Sequence, residues 1–472
     1  MKGFLLALIA LPLLIACGGS SLEHWHTASL NEEFTVKKLD EIHSFDDYRR
    51  LEQRLFQQLD EEVYAETATG PEFALVRYSS GSAADPRGRT PDWNRSVELA
   101  VEEPRGGVLL LHGMSDSPYS LRALAEKFHR EGFQVLVLRL PGHGTAPVGL
   151  TRASVEDMSA AVRLAIEYLG EKLGERPVHI VGYSTGAPLA INYALDAMEG
   201  KAGVEPASLV LISPAIGVSP AAAMAKWKRR LSLLPGLGDL AWLQIEPEFD
   251  PYKYNSFATK AAEQVYRLTR IVSRRVAAWD GKSPRHLLPP TLVLKSTVDA
   301  TVSNDAVIDN LLAKLSPRRH ALVLFDINRT AKASILLVSD PGPHTRRLME
   351  DATLPFQLTL VSNTTPESKQ VNARHKFPFS AGVSSVDALE LAWPPRVLSL
   401  SHVALPFAPG DPLYGQYAPD DPGTLFLGQM AIQGERGLLK VSSDWLLRLR
   451  YNPFYDYLEE RVMVWVGADN SL

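Results

Sequence analysis

The sequence has 472 residues, of which 45% are apolar and 22% are charged, and its formal net charge at pH 7 is −5. This mixture is typical of a globular protein that buries a large core. It excludes a dedicated nucleic-acid binder, because the chain has no basic run and no zinc-knuckle spacing. Its 49 lysines and arginines are also outnumbered by its 54 acidic residues.

The first sixteen residues predict a secretory signal peptide. Lys2 gives a short positive start, and the apolar run from residue 4 to residue 15 is too short to span a bilayer, for which roughly 20 residues are needed. Residues 14–17 (Leu-Ile-Ala-Cys) resemble the lipobox of bacterial lipoproteins, in which the chain is cut before the cysteine. This resemblance implies that the mature chain begins at Cys17 and carries acyl chains there.

The anchor implied by Cys17 sets the expected location. Cys17 is the only cysteine in the sequence, so the chain can form no internal disulfide. By resemblance to enterobacterial lipoproteins, Gly18 after the cysteine favours the outer membrane over the inner one. A plain signal peptide followed by an unmodified cysteine is the alternative. We therefore predict a protein of the bacterial cell envelope that is held to the membrane through Cys17.

Residues 17–66 are predicted to form a tether and an N-terminal helical extension. Residues 30–66 are charged, and apolar side chains recur there at helical spacing, at Phe45, Tyr48, Leu51, Leu55 and Leu59. Residues 80–95 are rich in Gly, Ser, Pro, Asp and Arg, which predicts a surface loop at the start of the main domain.

From residue 107 onward, short apolar strands alternate with amphipathic helices. The predicted strands are 107–111, 134–138, 178–181 and 208–212, and the predicted helices between them are 121–131, 155–169 and 188–198. Strands that are apolar throughout, in this alternation, predict a mostly parallel sheet covered by helices on both faces.

The alternation stops after residue 213. Residues 214–288 are rich in Trp, Leu, Lys and Arg and show no strand pattern, which predicts a helical cap. Strand-like segments then resume at 291–295, 321–326, 335–338, 356–361 and 396–400, and residues 445–466 predict a closing helix. The core domain is therefore assigned to residues 67–213 and 289–472, on either side of the cap.

Residues 182–186 (Gly-Tyr-Ser-Thr-Gly) fit the Gly-x-Ser-x-Gly pattern of a nucleophile elbow. A predicted buried strand comes directly before them, and a predicted helix comes directly after. A sharp strand-to-helix turn lifts the serine hydroxyl above the sheet, and the two glycines let backbones pass closely. Ser184 is therefore the candidate nucleophile, and a structural serine in a tight turn is the alternative.

Two further motifs make the chain resemble the α/β-hydrolase family, more closely its monoglyceride-lipase and serine-aminopeptidase-like branch. Residues 111–114 (Leu-His-Gly-Met) end the first main strand, and residues 139–144 (Arg-Leu-Pro-Gly-His-Gly) follow the second. The resemblance implies an α/β-hydrolase fold with a helical cap. It also implies an oxyanion hole made by the backbone N–H groups of Met114 and Thr185.

The same resemblance implies a catalytic acid after the strand at 291–295. Asp299 lies in that turn, with a hydrophobic residue three positions later, as in the acid turn of the family. Asp305 is the competing acid. We interpret Asp305 as part of the first turn of the following helix, where an acidic side chain suits the helix dipole.

The histidine is where the sequence departs from the family, because no histidine follows the predicted strand at 321–326. Two later histidines, His344 and His402, each follow a strand-like segment. We favour His402, because its Ser-His sequence resembles the last site loop of the family. This choice requires an insertion of about residues 327–395, which either extends the sheet or covers the site.

Three other histidines are not assigned to the predicted triad. His112 and His143 precede Ser184 in the chain, whereas the family order is serine, acid, histidine, so we interpret both as loop-stabilising residues. His320 precedes its predicted strand, which is the wrong end of a parallel sheet for a shared site.

The predicted reaction is acyl transfer to water by Ser184, His402 and Asp299. By analogy with the fold, the substrate is a small-molecule or lipid carboxylic ester with an apolar acyl chain. An acyltransferase or peptidase of the same superfamily is one alternative, and a non-catalytic envelope lipoprotein that binds a lipid or a partner is another. We predict no cofactor, no metal and no nucleic-acid partner, and the sequence leaves the oligomeric state open.

Overall fold

The computed structural model describes residues 22–217, 238–278, 288–299, 301–315, 319–331, 337, 339–420, 424–428 and 447–467. The predicted signal peptide, Cys17 and residues 218–237 and 279–287 of the predicted cap lie outside the described residues. Among the helices that are described, none combines the length and the apolar character needed to cross a membrane.

Twelve β-strands lie within the described residues. In chain order they are β1 (Val97–Leu99), β2 (Gly107–Leu111), β3 (Gln134–Leu138), β4 (Val178–Tyr183), β5 (Ser208–Ile212), β6 (Trp242–Gln244), β7 (Phe257–Ala258), β8 (Thr291–Ser296), β9 (His320–Phe325), β10 (Gln357–Asn363), β11 (Gln370–Lys376) and β12 (Ser385–Ala392). Ten of them make one central sheet in the order β1-β3-β2-β4-β5-β8-β9-β10-β11-β12, whereas β6 and β7 form a separate antiparallel pair.

The central sheet is mostly parallel, as predicted. Every neighbouring pair from β3 to β10 is parallel. β1 pairs antiparallel with β3 at one edge, and β11 and β12 extend the other edge as antiparallel strands. Parallel strands bring their carboxyl ends to the same edge of a sheet, so the loops that follow β2, β4 and β8 lie close together.

Helices cover both faces of this sheet. Among the described residues, the α-helices in chain order are α1 (Phe45–Leu59), α2 (Arg122–Arg130), α3 (Val155–Leu173), α4 (Gly186–Met198), α5 (Thr259–Ala277), α6 (Asn304–Asn310), α7 (Gly342–Glu350) and α8 (Tyr455–Gly467). Successive residues of a strand point to opposite faces, so Leu109 and Leu111 join the core under α3 and α4, while Val108 and Leu110 join the core under α2 and α8. A strand buried on both faces has to be apolar throughout, which is the pattern on which the prediction rested.

The local predictions are accurate where the sequence pattern is continuous. The strands predicted at 107–111, 134–138 and 208–212 are confirmed with the same bounds, and the three helices between the early strands are confirmed to within four residues. In the described part of the N-terminal extension, two short 3₁₀ helices (His24–His26 and Val36–Lys38) precede the α-helix, which lies in the second half. There Ser44 caps α1 by accepting a hydrogen bond from the Asp47 N–H.

One predicted strand is wrong, and the closing helix is confirmed with a later start than predicted. Residues 396–400 form no strand, because β10 already occupies the position beside β9, and the segment is held instead by the backbone and side-chain N–H groups of Asn328, which donate to the Leu398 and Val397 carbonyls. The closing helix begins only at Tyr455. The residue before a proline disfavours helical geometry, and Pro453 stands just ahead of that start.

The predicted cap and the predicted insertion both contain strands that the sequence analysis did not find. The cap was predicted to be free of strands, but its described part contains the β6–β7 pair beside α5. Within residues 327–395, the strand predicted at 356–361 is confirmed as β10, whereas β11 and β12, which also extend the sheet, were not predicted. The strand predicted at 335–338 lies outside the described residues, apart from residue 337, which is irregular.

A buried arginine joins the N-terminal extension to the sheet. Arg139, which directly follows β3, is only 1% exposed. Its guanidinium donates to both carboxylate oxygens of Glu33 at 3.0 Å and to one oxygen of Glu52 at 2.8 Å. Both glutamates belong to the extension. A buried charge is tolerated only when it is paired in this way, so the extension and the core depend on each other for charge balance.

We predict that Arg139→Met lowers the free energy of unfolding by about 3–5 kcal/mol, because it leaves two glutamates near the core without their cation. The measurement is urea unfolding together with limited proteolysis of residues 22–66, which we expect to be cleaved faster in the variant. Arg130→Met, at an exposed arginine that ends α2, is the matched control and changes stability by less than about 0.5 kcal/mol. Equal effects of the two substitutions would contradict the role given to Arg139.

Candidate active site

Ser184 stands in the sharp turn between β4 and α4. It adopts a φ of +51°, which is rare for a residue with a side chain. The flanking glycines are required by packing, because a Cβ atom on Gly186 would lie 2.1 Å from the Leu111 carbonyl oxygen, and one on Gly182 would lie 2.6 Å from the Ala187 backbone nitrogen. The turn therefore has the strained geometry that the elbow motif predicts.

The structure brings Ser184, His402 and Asp299 together from three distant parts of the chain. His402 Nε2 lies 3.0 Å from Ser184 Oγ, and His402 Nδ1 lies 2.9 Å from Asp299 Oδ2. A carboxylate only accepts hydrogen bonds, so Nδ1 carries the proton and Nε2 is left to accept from the serine hydroxyl. This arrangement can take a proton from Ser184 when its oxygen attacks.

Asp299 is held as a buried carboxylate. Its Oδ1 accepts from the backbone N–H groups of Thr301 at 2.9 Å and Val302 at 3.1 Å. Burial alone would raise the pKa of Asp299, but the hydrogen bond and charge of His402, together with the ammonium of Lys295, bring that pKa well below its usual value. The side chain is therefore ionised at neutral pH and able to orient the imidazole.

Lys295, the penultimate residue of β8, pairs with Asp299, and the sequence analysis did not predict this contact. Its side chain is fully buried, and its Nζ donates to Asp299 Oδ2 at 2.9 Å and to the Val302 carbonyl at 2.8 Å. Asp299 Oδ2 thus accepts hydrogen bonds from both the His402 imidazole and the Lys295 ammonium. The available signal was a lysine within a run of apolar strand residues, which is rare unless the charge is paired.

The two alternative residues pair with each other instead of reaching Ser184. Asp305 lies in the first turn of α6, as predicted, and His344 lies in α7. His344 Nε2 is 3.2 Å from Asp305 Oδ1. Neither residue lines the pocket at Ser184.

Met114 and Thr185 both line the pocket beside Ser184. Thr185 is the N-cap of α4, so its N–H lies at the positive end of that helix. Within the described part of the chain, neither backbone N–H donates a hydrogen bond. Two N–H donors next to the nucleophile suit a developing oxyanion.

His112 and His143 form the structural contact predicted for them. His112 Nε2 accepts from the Leu140 N–H at 3.1 Å, and His143 Nδ1 donates to the Pro141 carbonyl at 3.0 Å. Burial lowers the pKa of each histidine to about 3, so both rings are neutral at pH 7. The hydrogen bond between His112 and Leu140 joins the loop after β2 to the loop after β3, and the one between His143 and Pro141 lies within the second of these loops.

The loop that carries His402 is fixed by three hydrogen bonds. Ser296 Oγ donates to the Leu400 carbonyl at 3.1 Å, and the Tyr183 hydroxyl donates to the His402 carbonyl at 3.5 Å. Ser401 Oγ donates to the Leu449 carbonyl at 2.6 Å. The loop is thereby held to the ends of β8 and β4 and to the segment that precedes α8.

A pocket of about 480 Å³ opens at Ser184. Cap residues supply apolar walls, among them Phe257 from β7 and Val265 from α5. Charged residues that the sequence analysis did not select also line it, namely Asp116, Lys253, Arg448 and Arg450. Elsewhere in the described ranges, no three His, Cys, Asp or Glu side chains are grouped to hold a metal ion.

Residues 108–326 match the model of a family described as "Alpha/beta hydrolase family". A 110-residue segment is 32% identical to the "Thermostable monoacylglycerol lipase" of Bacillus sp. (strain H-257). That segment is 23% of this chain and 43% of the relative, so the match spans less than half of the relative's length.

Two solved structures match about half of the chain at low identity. A Paleococcus ferrophilus monoacylglycerol lipase is 23% identical, with a TM-score of 0.37 over 49% of this chain and 88% of the other. A soluble variant of monoglyceride lipase from Saccharomyces cerevisiae is 15% identical, with a TM-score of 0.39 over 49% of this chain and 82% of the other. The chain has the α/β-hydrolase fold, with its mostly parallel sheet flanked by helices. Because one fold carries many activities, the reaction has to be argued from the site.

We predict that Lys295→Met destabilises the protein by about 3–5 kcal/mol, because removing one partner leaves Asp299 with a buried, less compensated charge. Urea unfolding of the full chain measures this. Lys314→Met, at an exposed lysine, is the control, and it should change stability by less than about 0.5 kcal/mol. Adding Asp299→Asn to Lys295→Met should recover part of the loss, because it removes the uncompensated charge. A double variant that is less stable than the single one would refute this account of the pair.

Proposed function

We propose that the protein is a serine hydrolase that cleaves carboxylic esters with apolar acyl chains through an acyl-enzyme. The observation that carries the proposal is the continuous hydrogen-bonded chain from Ser184 Oγ through the His402 ring to Asp299, with distances of 3.0 and 2.9 Å. A strained turn presents the serine, and a buried carboxylate orients the base, which is the combination that activates a hydroxyl as a nucleophile.

The first half-reaction forms the acyl-enzyme. Ser184 Oγ attacks the ester carbonyl carbon while its proton passes to His402 Nε2. The carbonyl oxygen becomes an oxyanion, which the N–H groups of Met114 and Thr185 stabilise by roughly 3–4 kcal/mol each. The bond to the alcohol oxygen then breaks, and His402 gives its proton to the leaving alcohol.

The second half-reaction releases the acid. A water molecule attacks the acyl carbon and gives a proton to His402, the bond to Ser184 Oγ breaks, and the proton returns to the serine. Asp299 stays ionised throughout and stabilises the imidazolium that forms in each half-reaction. The buried ammonium of Lys295 keeps the Asp299 carboxylate in position but touches no reacting atom.

The choice of an ester with an apolar acyl chain rests on two supports. The first is the 32% identity of a segment of this chain to a protein named as a monoacylglycerol lipase. The second is the apolar wall formed by Ala215, Phe257, Ala262 and Val265. The alternative of a non-catalytic binding protein relied on the lack of a histidine after β9, and His402 next to Ser184 removes that reason.

The test is a fluorophosphonate probe on the full chain, read by peptide mass. We expect one adduct, on Ser184, none in Ser184→Ala, and labelling at least about 100-fold slower in His402→Ala, because the general base is gone. His344→Ala is the matched control and should label within about twofold of the unmodified chain. Labelling that survives His402→Ala but is lost in His344→Ala would move the base to His344, and a folded protein without any adduct would refute the proposed mechanism.

We also propose that Cys17 anchors the protein in the bacterial envelope, on the support of the lipobox resemblance alone. We expect Cys17→Ser, expressed from the full-length sequence in a bacterium, to shift the protein from the membrane fraction to the soluble periplasmic fraction. Serine keeps the size of the side chain and removes only the sulfur that is acylated. Unchanged membrane retention of that variant would argue against lipidation.

A further inference from the structure

Among the described residues that line the pocket at Ser184, cationic side chains outnumber carboxylates. Three of these side chains are cationic, namely Lys253, Arg448 and Arg450, whereas Asp116 is the one carboxylate among them. A neutral ester does not require cations beside its reacting carbonyl. The excess therefore concerns what the pocket binds.

Lys253 is already neutralised. Its Nζ donates to Asp116 Oδ1, and both side chains are largely buried. The Lys253 backbone N–H also donates to Asp250 Oδ1, which fixes the position of the lysine. This pair closes one wall of the pocket and leaves no net charge for a ligand.

Arg450 is a buried cation with a counter-charge behind it. It is 5% exposed, and Asp250, which is fully buried, attracts its guanidinium. Asp250 also accepts hydrogen bonds from the Tyr414 hydroxyl at 2.7 Å. Burial and the neighbouring Arg448 lower the pKa of Arg450 to about 10, against the attraction of Asp250. An anion placed beside the two guanidiniums would relieve that repulsion.

Arg448 is the cation for which the described residues provide no carboxylate. It is exposed, it lines the pocket, and it forms no ion pair with any other described residue. The backbone beside it is held to the loop of His402, because the adjoining Leu449 carbonyl accepts the hydrogen bond from Ser401. Both Arg448 and Arg450 also lie close enough to Tyr183, next to Ser184 in the elbow, to act on its hydroxyl electrostatically.

We propose that the ester hydrolysed at Ser184 carries an oxyanionic group, a phosphate or a carboxylate, which pairs with Arg448 beside Arg450. This inference rests on the proposed function, because it names the substrate class of the same site. A guanidinium presents two parallel N–H donors that match the oxygens of a carboxylate or a phosphate. Arg448 would repel a cationic ester, and a neutral ester would leave Arg448 without a carboxylate among the described residues, so the pocket favours anionic esters.

Binding can be tested without catalysis in the full chain carrying Ser184→Ala. Titration calorimetry at low salt compares hexyl phosphate, hexanoate, 1-hexanol and inorganic phosphate. We expect at least one of the two anionic hexyl compounds to bind at least about tenfold more tightly than hexanol, because a hydrogen bond between two charged groups is stronger than one to a neutral hydroxyl. The two anions distinguish a phosphate from a carboxylate, and tight binding of inorganic phosphate alone would mean that a free anion, not an ester, is recognised.

The role of Arg448 is tested by substitution in the same background. We expect Arg448→Gln to weaken anion binding about tenfold or more, and Arg448→Lys, which keeps the charge, to retain most of it. Arg176→Gln is the matched control, because Arg176 is equally exposed but precedes β4, at the opposite end of the sheet from Ser184. Equal binding of hexanol and both anions, or equal losses from Arg448→Gln and Arg176→Gln, would overturn the proposal.

Ester turnover by the unmodified chain distinguishes a failure of the anion-selectivity proposal from a failure of the proposed hydrolase activity on which it rests. We expect kcat/KM for 1-hexanoylglycerol 3-phosphate, or for the hexanoyl ester of glycerate, to exceed that for 1-hexanoylglycerol by at least about tenfold, with the ratio falling in Arg448→Gln. Hydrolysis of all three esters at equal rates would retain the hydrolase and reject anion selection. Selective anion binding without turnover of any ester or labelling of Ser184 would retain the anion site and reject the hydrolase.

Discussion

One buried carboxylate organises the site. Asp299 receives hydrogen bonds from His402, from Lys295 and from two backbone N–H groups of its own turn. An ionised side chain is stable inside a protein only when its oxygens are satisfied in this way. Because the donors come from β8, from the acid turn and from the loop at residue 402, the position of this single side chain fixes how the three segments meet.

The route of the chain between the acid and the histidine shows why a large insertion does not disturb that geometry. The residues between β9 and His402 add a parallel strand and two antiparallel strands to one edge of the sheet, away from the loops that follow β2 and β4. The entropic cost of a connection rises only slowly with its length. The position at which the chain returns to the site matters more than the length of the insertion. Asn328 and Ser296 fix that position through hydrogen bonds to the carbonyls of residues 397, 398 and 400.

The strands and turns that were predicted correctly from the sequence are those that a local residue pattern determines. Apolar runs of five residues located the parallel strands, and the glycines around Ser184 identified a turn that their close contacts require. His402 was chosen by its resemblance to a site loop, although the strand expected before it does not form. The pairing of Lys295 with Asp299 and the place of Arg448 in the pocket could not be predicted, because a charged residue in a strand or loop does not indicate which group or cavity the fold brings to it. β11 and β12 were missed because their residues are largely polar or exposed and lack the apolar run.

The position of Leu22 on the folded body limits how far that body could lie from an anchor at Cys17. Leu22 packs against the core and Trp25 is buried, so the described body includes the chain from the fifth residue after Cys17 onward. Five residues span at most about 18 Å, at roughly 3.6 Å per residue, so an anchor at Cys17, as proposed, would hold Leu22 within that distance of the lipid. A body held in that way would move with the lipid layer, and its encounters with substrates would depend on surface density and on the side of the body that faces the lipid.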